Sequence, residues 1–127
     1  MRLFKTKWFA RFARHEQIPD ASLRDAITRA GRGLVDADLG GGLIKQRVAR
    51  RGSGRSGGYR VLVAFRVLDR AIFLYGFAKN ERSNIANDEL LTAREIAAAW
   101  LAADGTRLAR AIADGELQEV PNDQEAD

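Results

Sequence analysis

The sequence predicts one α+β domain, and three observations carry that reading. Apolar residues recur at helical spacing through the first 34 positions, two-residue alternation runs through residues 43–77, and an acidic region with helical spacing follows residue 86. At 127 residues and 46% apolar content, the chain is long enough for one core and too short for two.

Residues 2–9, RLFKTKWF, read as a short strand leading into a helix, with Phe4, Trp8, Phe9 and Phe12 as its buried side. Trp8 and Phe12 are four apart and share a helical face. Core packing is a better account of these aromatics than base stacking. His15 ends this helix, where the dipole favours a cation, and with no evident carboxylate or serine partner it reads as a surface or capping residue. Pro19 and Asp20 break the chain.

A second helix follows, with Leu23, Ala26, Ile27, Ala30 and Leu34 on one stripe. Ser22 and Asp25 form a weak capping box, and Gly31 or Gly33 supplies the left-handed terminator. Arg24, Arg29 and Arg32 read as a solvated face. Residues 35–42, VDADLGGG, read as a turn into a strand over 43–48, where Leu43, Lys45 and Arg47 face one side and Ile44, Gln46 and Val48 the other.

The next strand begins near Gly58. It sets Arg60, Leu62, Ala64 and Arg66 against an apolar set of Tyr59, Val61, Val63, Phe65 and Val67. A tight turn at residues 68–70 leads to a strand with Phe73, Tyr75, Phe77 and then Lys79 on one side, completing an antiparallel meander. Asn87 or Asp88 caps a helix to about Ala103, with Leu90, Leu91, Ile96, Ala97, Trp100 and Leu101 in contact and Gly105 closing it. A short helix from Thr106 to near Gly115 and a brief strand in ELQEV complete the domain, residues 1–120. Residues 121–127 read as a disordered acidic tail.

Composition narrows the function. There is no cysteine and one histidine, which excludes disulfides, a thiolate nucleophile and Cys-based or His-rich metal sites; no metal and no cofactor are expected. No apolar run approaches the roughly 20 residues of a membrane span, and the N-terminus lacks a secretion signal, so no membrane partner and a cytoplasmic address are expected. Net charge is +4, but residues 1–82 carry 18 Lys and Arg against 7 Asp and Glu, and residues 83–127 carry 3 against 10. A basic body of this kind suits a polyanion.

The basic charge concentrates between Leu39 and Leu68, which holds Lys45, Arg47, Arg50, Arg51, Arg55, Arg60 and Arg66 and no Asp, Glu or His. The middle, RRGSGRSGG, reads as a flexible turn, so the six cations from Lys45 to Arg60 gather near one hairpin. It is no nucleotide P-loop, because the Lys-Ser/Thr ending and following helix are missing. Arg50, Arg51 and Arg55 read as general phosphate contacts in a loop. Arg66 reads equally well as a functional cation and as a structural ion-pair partner of Glu81 or Asp69, and Tyr75 reads as packing.

Two N-terminal helices followed by LIKQRVA, SGGYRVLVAF and FLYGFAKNERSNI resemble the RelE/HigB-like toxins of bacterial type II toxin–antitoxin modules, in the phage-derived RelE-like branch of the RelE/ParE superfamily. The likeness covers roughly residues 1–120. It implies two N-terminal helices packed on a curved antiparallel sheet, then C-terminal helices. It also implies an endoribonuclease that cleaves messenger RNA on the ribosome, is held inactive by a cognate antitoxin, and meets operator DNA only through the antitoxin complex.

Carried over by residue, the likeness makes Arg60, the GYR arginine, the grip on the scissile phosphate. Lys45 becomes the proton-transfer group, crowded by arginines that disfavour its protonated form. Arg47 becomes an RNA contact, and Lys79 acts on the leaving group or phosphate. Where the family pattern places an arginine and then a tyrosine after that lysine, this chain has Asn80 and, near the second place, Ile85, so either those roles move to Glu81, Arg82 or Tyr75 or the chemistry is weaker. Glu81 reads more simply as an ion-pair partner. The alternatives are a ParE-like toxin that binds DNA gyrase and a nucleic-acid-binding domain without turnover.

Overall fold

The computed structural model describes residues 1–50, 54–79 and 85–121, with residues 54–57 by backbone alone. The elements in order are β1 (Arg2–Thr6), α1 (Lys7–His15), α2 (Asp20–Gly31), β2 (Ala37–Gly40), β3 (Leu43–Arg50) and β4 (Gly54–Arg66), then β5 (Arg70–Ala78), α3 (Asn87–Ala102), α4 (Gly105–Ala113) and β6 (Leu117–Val120). They form the expected α+β fold. The six strands make one sheet in the order β2-β3-β4-β5-β1-β6, antiparallel except where β1 runs parallel to β5.

Local chemistry sets the boundaries. Thr6 begins α1: its hydroxyl accepts the Phe9 N–H at 3.1 Å and donates to Leu74 O at 3.1 Å, joining helix start to sheet. Asp104 caps α4 by accepting the Arg107 N–H at 2.8 Å, so Gly105 opens that helix instead of closing α3. At the N-terminus of α3, Glu89 reaches back to the Ala86 N–H at 3.0 Å.

Both faces of the sheet are buried. On one, α1 and α2 cover Ile44, Val48, Tyr59, Val61, Val63 and Phe73 with Phe9, Leu23, Ala26 and Ile27. On the other, α3 and α4 cover Leu43, Leu62, Ala64, Ile72 and Leu74 with Ala93, Ala97, Leu101 and Leu108. The strands therefore read as apolar almost throughout, as buried strands do.

Several expectations are corrected. The segment read as a turn at residues 35–42 contains β2, which pairs with β3 from Ala37 opposite Lys45 to Gly40 opposite Leu43. Three glycines at positive φ, 87°, 64° and 85° for Gly40, Gly41 and Gly42, make the reversal. β4 starts four residues before Gly58, taking half of the supposed loop into the sheet. In β5 the pairing steps from Leu62–Tyr75 to Val63–Phe73, so Leu74 is a bulge. Phe73 consequently faces α1 and α2, whereas Tyr75 packs toward α3. Trp8, Leu34, Leu91 and Ile96 are exposed instead of buried. For Leu34 the cause is that α2 ends at Gly31.

The expected tail, apart from Pro121, lies outside the described residues. Among the described residues no helix is long and apolar enough to cross a membrane.

Candidate functional site

Strand alternation and register place three cations on the α3 face. Lys45 and Arg47 stand two apart on β3, about 7 Å along the strand. Arg60 on β4 is directly opposite Arg47, and Phe77 on β5 is opposite Arg60. The sequence is anion-free here, but the site is not. Asp36, immediately before β2, puts its carboxylate among all three: Arg47 Nε donates to Oδ1 at 2.8 Å, and Lys45 Nζ and Arg60 Nε lie 3.6 and 3.7 Å from Oδ2.

The backbone around this carboxylate is tied down. Asp36 N–H donates to Lys45 O at 3.1 Å and approaches Gln46 Oε1 at 3.2 Å. Gln46 is 1% exposed, and its amide nitrogen donates to Ala26 O of α2 and to Leu34 O, both at 2.9 Å. Arg29, read as a solvated face residue, instead donates to Arg47 O at 2.6 Å and to Asp25 at 3.0 Å. Helix α2 thus fixes the strand that carries Lys45 and Arg47.

Burial opposes charge on Asp36 more than any other single influence. The Arg47 hydrogen bond and the charges of Lys45, Arg47 and Arg60 together outweigh it, holding this carboxyl below the ordinary aspartate value. Asp36 is therefore an anion at neutral pH. The surroundings of Lys45 are not arginines alone, as the sequence suggested, but arginines with a carboxylate between them.

Exposure divides the cations. The Arg47 side chain is 48% exposed and shows its guanidinium at the rim; Lys45 is 17% exposed, and Arg60 is 5% exposed, with Nη1 donating to Tyr59 O at 3.3 Å. Lys79 extends the β4–β5 ladder, its N–H donating to Gly58 O at 3.1 Å. Alternation from Phe77 puts its exposed side chain on the Arg60 face. Tyr75 shares that face and stacks on Trp8 at 4.4 Å between ring centroids, consistent with the packing role read for it.

Arg50 does not join the others. Alternation along β3 puts it with Ile44, Gln46 and Val48 on the opposite face, where its guanidinium lies 5.8 Å over the Tyr59 ring. Among the described residues, Arg50 thus stands apart from Lys45, Arg47 and Arg60. Arg51, Glu81, Arg82 and Asn80, and the side chain of Arg55, lie outside the described residues. Arg66 pairs with Asp69 at 3.1 Å, the structural role read for it. His15 has the carboxylate partner that was not apparent, Glu16 at 2.7 Å, and remains exposed. Ile85 is half-buried against the α3-side core. Among the described residues no three of His, Cys, Asp and Glu gather as a metal site.

Asp36 is the residue that the sequence reading missed. It lies in the bend just before β2, and only the pairing of β2 with β3 brings it beside Lys45 and Arg47.

No curated protein matches the chain. The family model for the RelE toxin of the RelE/RelB toxin–antitoxin system matches residues 1–120, from the first strand through the last. With the α+β architecture and the cationic face both in place over that span, the chain belongs to the RelE toxin family of toxin–antitoxin systems.

Proposed function

We propose that this toxin is an endoribonuclease that cuts messenger RNA on the ribosome and so stops translation, with a cognate antitoxin holding it inactive and operator DNA reached only through that complex. The observation that carries the reading is the convergence of Lys45, Arg47 and Arg60 on one face around a shared carboxylate. RNA supplies its own nucleophile. The 2′-oxygen bonds to the adjacent phosphorus, the bond from phosphorus to the 5′-oxygen breaks, one proton leaves the hydroxyl and another reaches the departing oxygen. The protein's task is to orient the linkage and stabilise the added charge at phosphorus.

In this reading Arg47 meets the backbone at the rim, and Arg60 grips the scissile phosphate with a fork suited to its oxygens. Lys45 serves proton transfer at the linkage, and Lys79 the leaving oxygen or phosphate. Arg60 is nearly buried, so a phosphate that reaches it must press into the face and shift the surface around it. Arg51, Arg55, Glu81 and Arg82 are further candidates for RNA contact or proton transfer.

Translating ribosomes incubated with the protein, followed by mapping of messenger 5′ ends, test the proposal. New 5′-hydroxyl ends within codons support it. Messengers left intact while DNA gyrase is inhibited would put the protein with ParE-like binders, and RNA bound but uncut would make it a module without turnover.

A further inference from the structure

We propose that Asp36 is a positioning residue of this toxin, an internal anion that stands in for substrate phosphate and keeps Lys45, Arg47 and Arg60 in one array until RNA arrives. The inference rests on the nuclease reading for its catalytic part only. Three like charges on neighbouring strand positions repel one another, and unanchored lysine and arginine side chains would splay toward solvent. A carboxylate 2.8 Å from Arg47, 3.6 Å from Lys45 and 3.7 Å from Arg60 holds all three pointing at a common centre.

Its geometry suits a placeholder better than a proton carrier. One oxygen takes the short bond from Arg47, and the other sits at ion-pair distance from both Lys45 and Arg60. The Asp36 side chain is 12% exposed, and it is mounted on a backbone fixed through Gln46 to α2. The cations cannot follow the carboxylate away. A phosphate oxygen entering from the rim therefore competes with Oδ2 for donors already aimed at that point, and the energy of ordering them has been met in folding. The same competition weakens RNA binding, because the cations give up some of their attraction to Asp36.

Removing this charge should consequently separate affinity from rate. The Asp36→Asn protein should bind an uncleavable RNA, 2′-deoxy at the scissile position, at least about threefold more tightly at low salt. Its plot of log affinity against log salt should steepen by about 0.7, the increment for one further cation made available to a single strand. On cleavable RNA its single-turnover rate should fall at least about tenfold, the cost of losing orientation. Asp36→Glu, which keeps the charge one methylene further out, should leave affinity near wild type and reduce only the rate; it serves also if the Asn variant does not fold.

Unchanged affinity, salt slope and rate in Asp36→Asn would overturn the inference. So would losses of affinity and rate in proportion to lost folded protein, which indicate a structural role alone. A wild type that binds RNA and never cuts it would instead defeat the nuclease reading, and the affinity measurements would still decide whether Asp36 restrains the cations.

Discussion

Gln46 Oε1 lies 3.2 Å from the Asp36 N–H while its amide nitrogen bridges Ala26 O and Leu34 O, so one buried side chain on the α2 face holds the residue that organises the opposite face. The sheet is one residue thick, and Gln46 sits between Lys45 and Arg47 in sequence. Replacing it with leucine leaves buried carbonyls without that donor, at a cost of about 1–3 kcal/mol per group left unsatisfied. Gln46→Leu should therefore lower unfolding stability by at least about 2 kcal/mol in urea titrations. In protein that remains folded, RNA cleavage should fall as well, because Asp36 loses its mount. Full activity with reduced stability would disconnect the two faces.

Arg47 and Arg50 are three apart in sequence and face opposite sides of the sheet, which makes them a matched pair for testing where RNA lies. Arg47→Ala should weaken RNA binding and reduce the salt slope by about 0.7, the loss of one phosphate contact on a single strand. Arg50→Ala, removing a guanidinium stacked over Tyr59 on the α1 side, should change neither by more than about a quarter of that amount. Equal effects would mean that the RNA path crosses the hairpin instead of following one face.

Arg60→Ala and Lys45→Arg separate phosphate stabilisation from proton transfer. The alanine variant should lose growth arrest and reduce cleavage by about 10²–10³-fold, as loss of a transition-state donor does, while retaining its circular dichroism spectrum and antitoxin binding. Lys45→Arg keeps the charge beside Asp36 but removes an accessible neutral form. Cleavage at the parental rate in that variant would leave Lys45 as an electrostatic contact only.

The sequence made the helical stripes, the meander and the facing of Lys45, Arg47 and Arg60 legible because each follows from local periodicity. What it hid depends on pairing between distant segments. Residues 37–40 are too short and glycine-flanked to announce a strand, yet β3 recruits them as an edge and brings Asp36 with them. The bulge at Leu74 adds one residue against the partner strand, so strict alternation misplaced Phe73. The glycine of GGYR has a reason that only the pairing shows: a Cβ on Gly58 would collide with Val48 O and lie 2.7 Å from Arg50 N. That close approach lets β4 reach register just before Tyr59 and Arg60.

Acid should reveal the Asp36 cluster thermodynamically. The folded carboxyl binds its proton less tightly than in the unfolded chain, because the Arg47 hydrogen bond and three cations overcome the burial that opposes its charge. Its contribution is fully present above the unfolded value, ordinarily 3.8, and is lost as pH falls through the lower folded value. Glu16, held down chiefly by the His15 hydrogen bond against burial, and further by Tyr59, adds a loss of the same sign. Thermal unfolding of the wild type should therefore drop in midpoint as pH falls from 5 toward about 2. The Asp36→Asn protein should start lower at pH 7, where its cations are left crowded, and follow a flatter curve that retains only the Glu16 share and the other carboxylates. The two curves should converge at the acid end, where protonated Asp36 no longer differs in charge from asparagine. Parallel curves across the range would show that Asp36 carries no depressed proton affinity in the folded protein, and that its cations are held by something else.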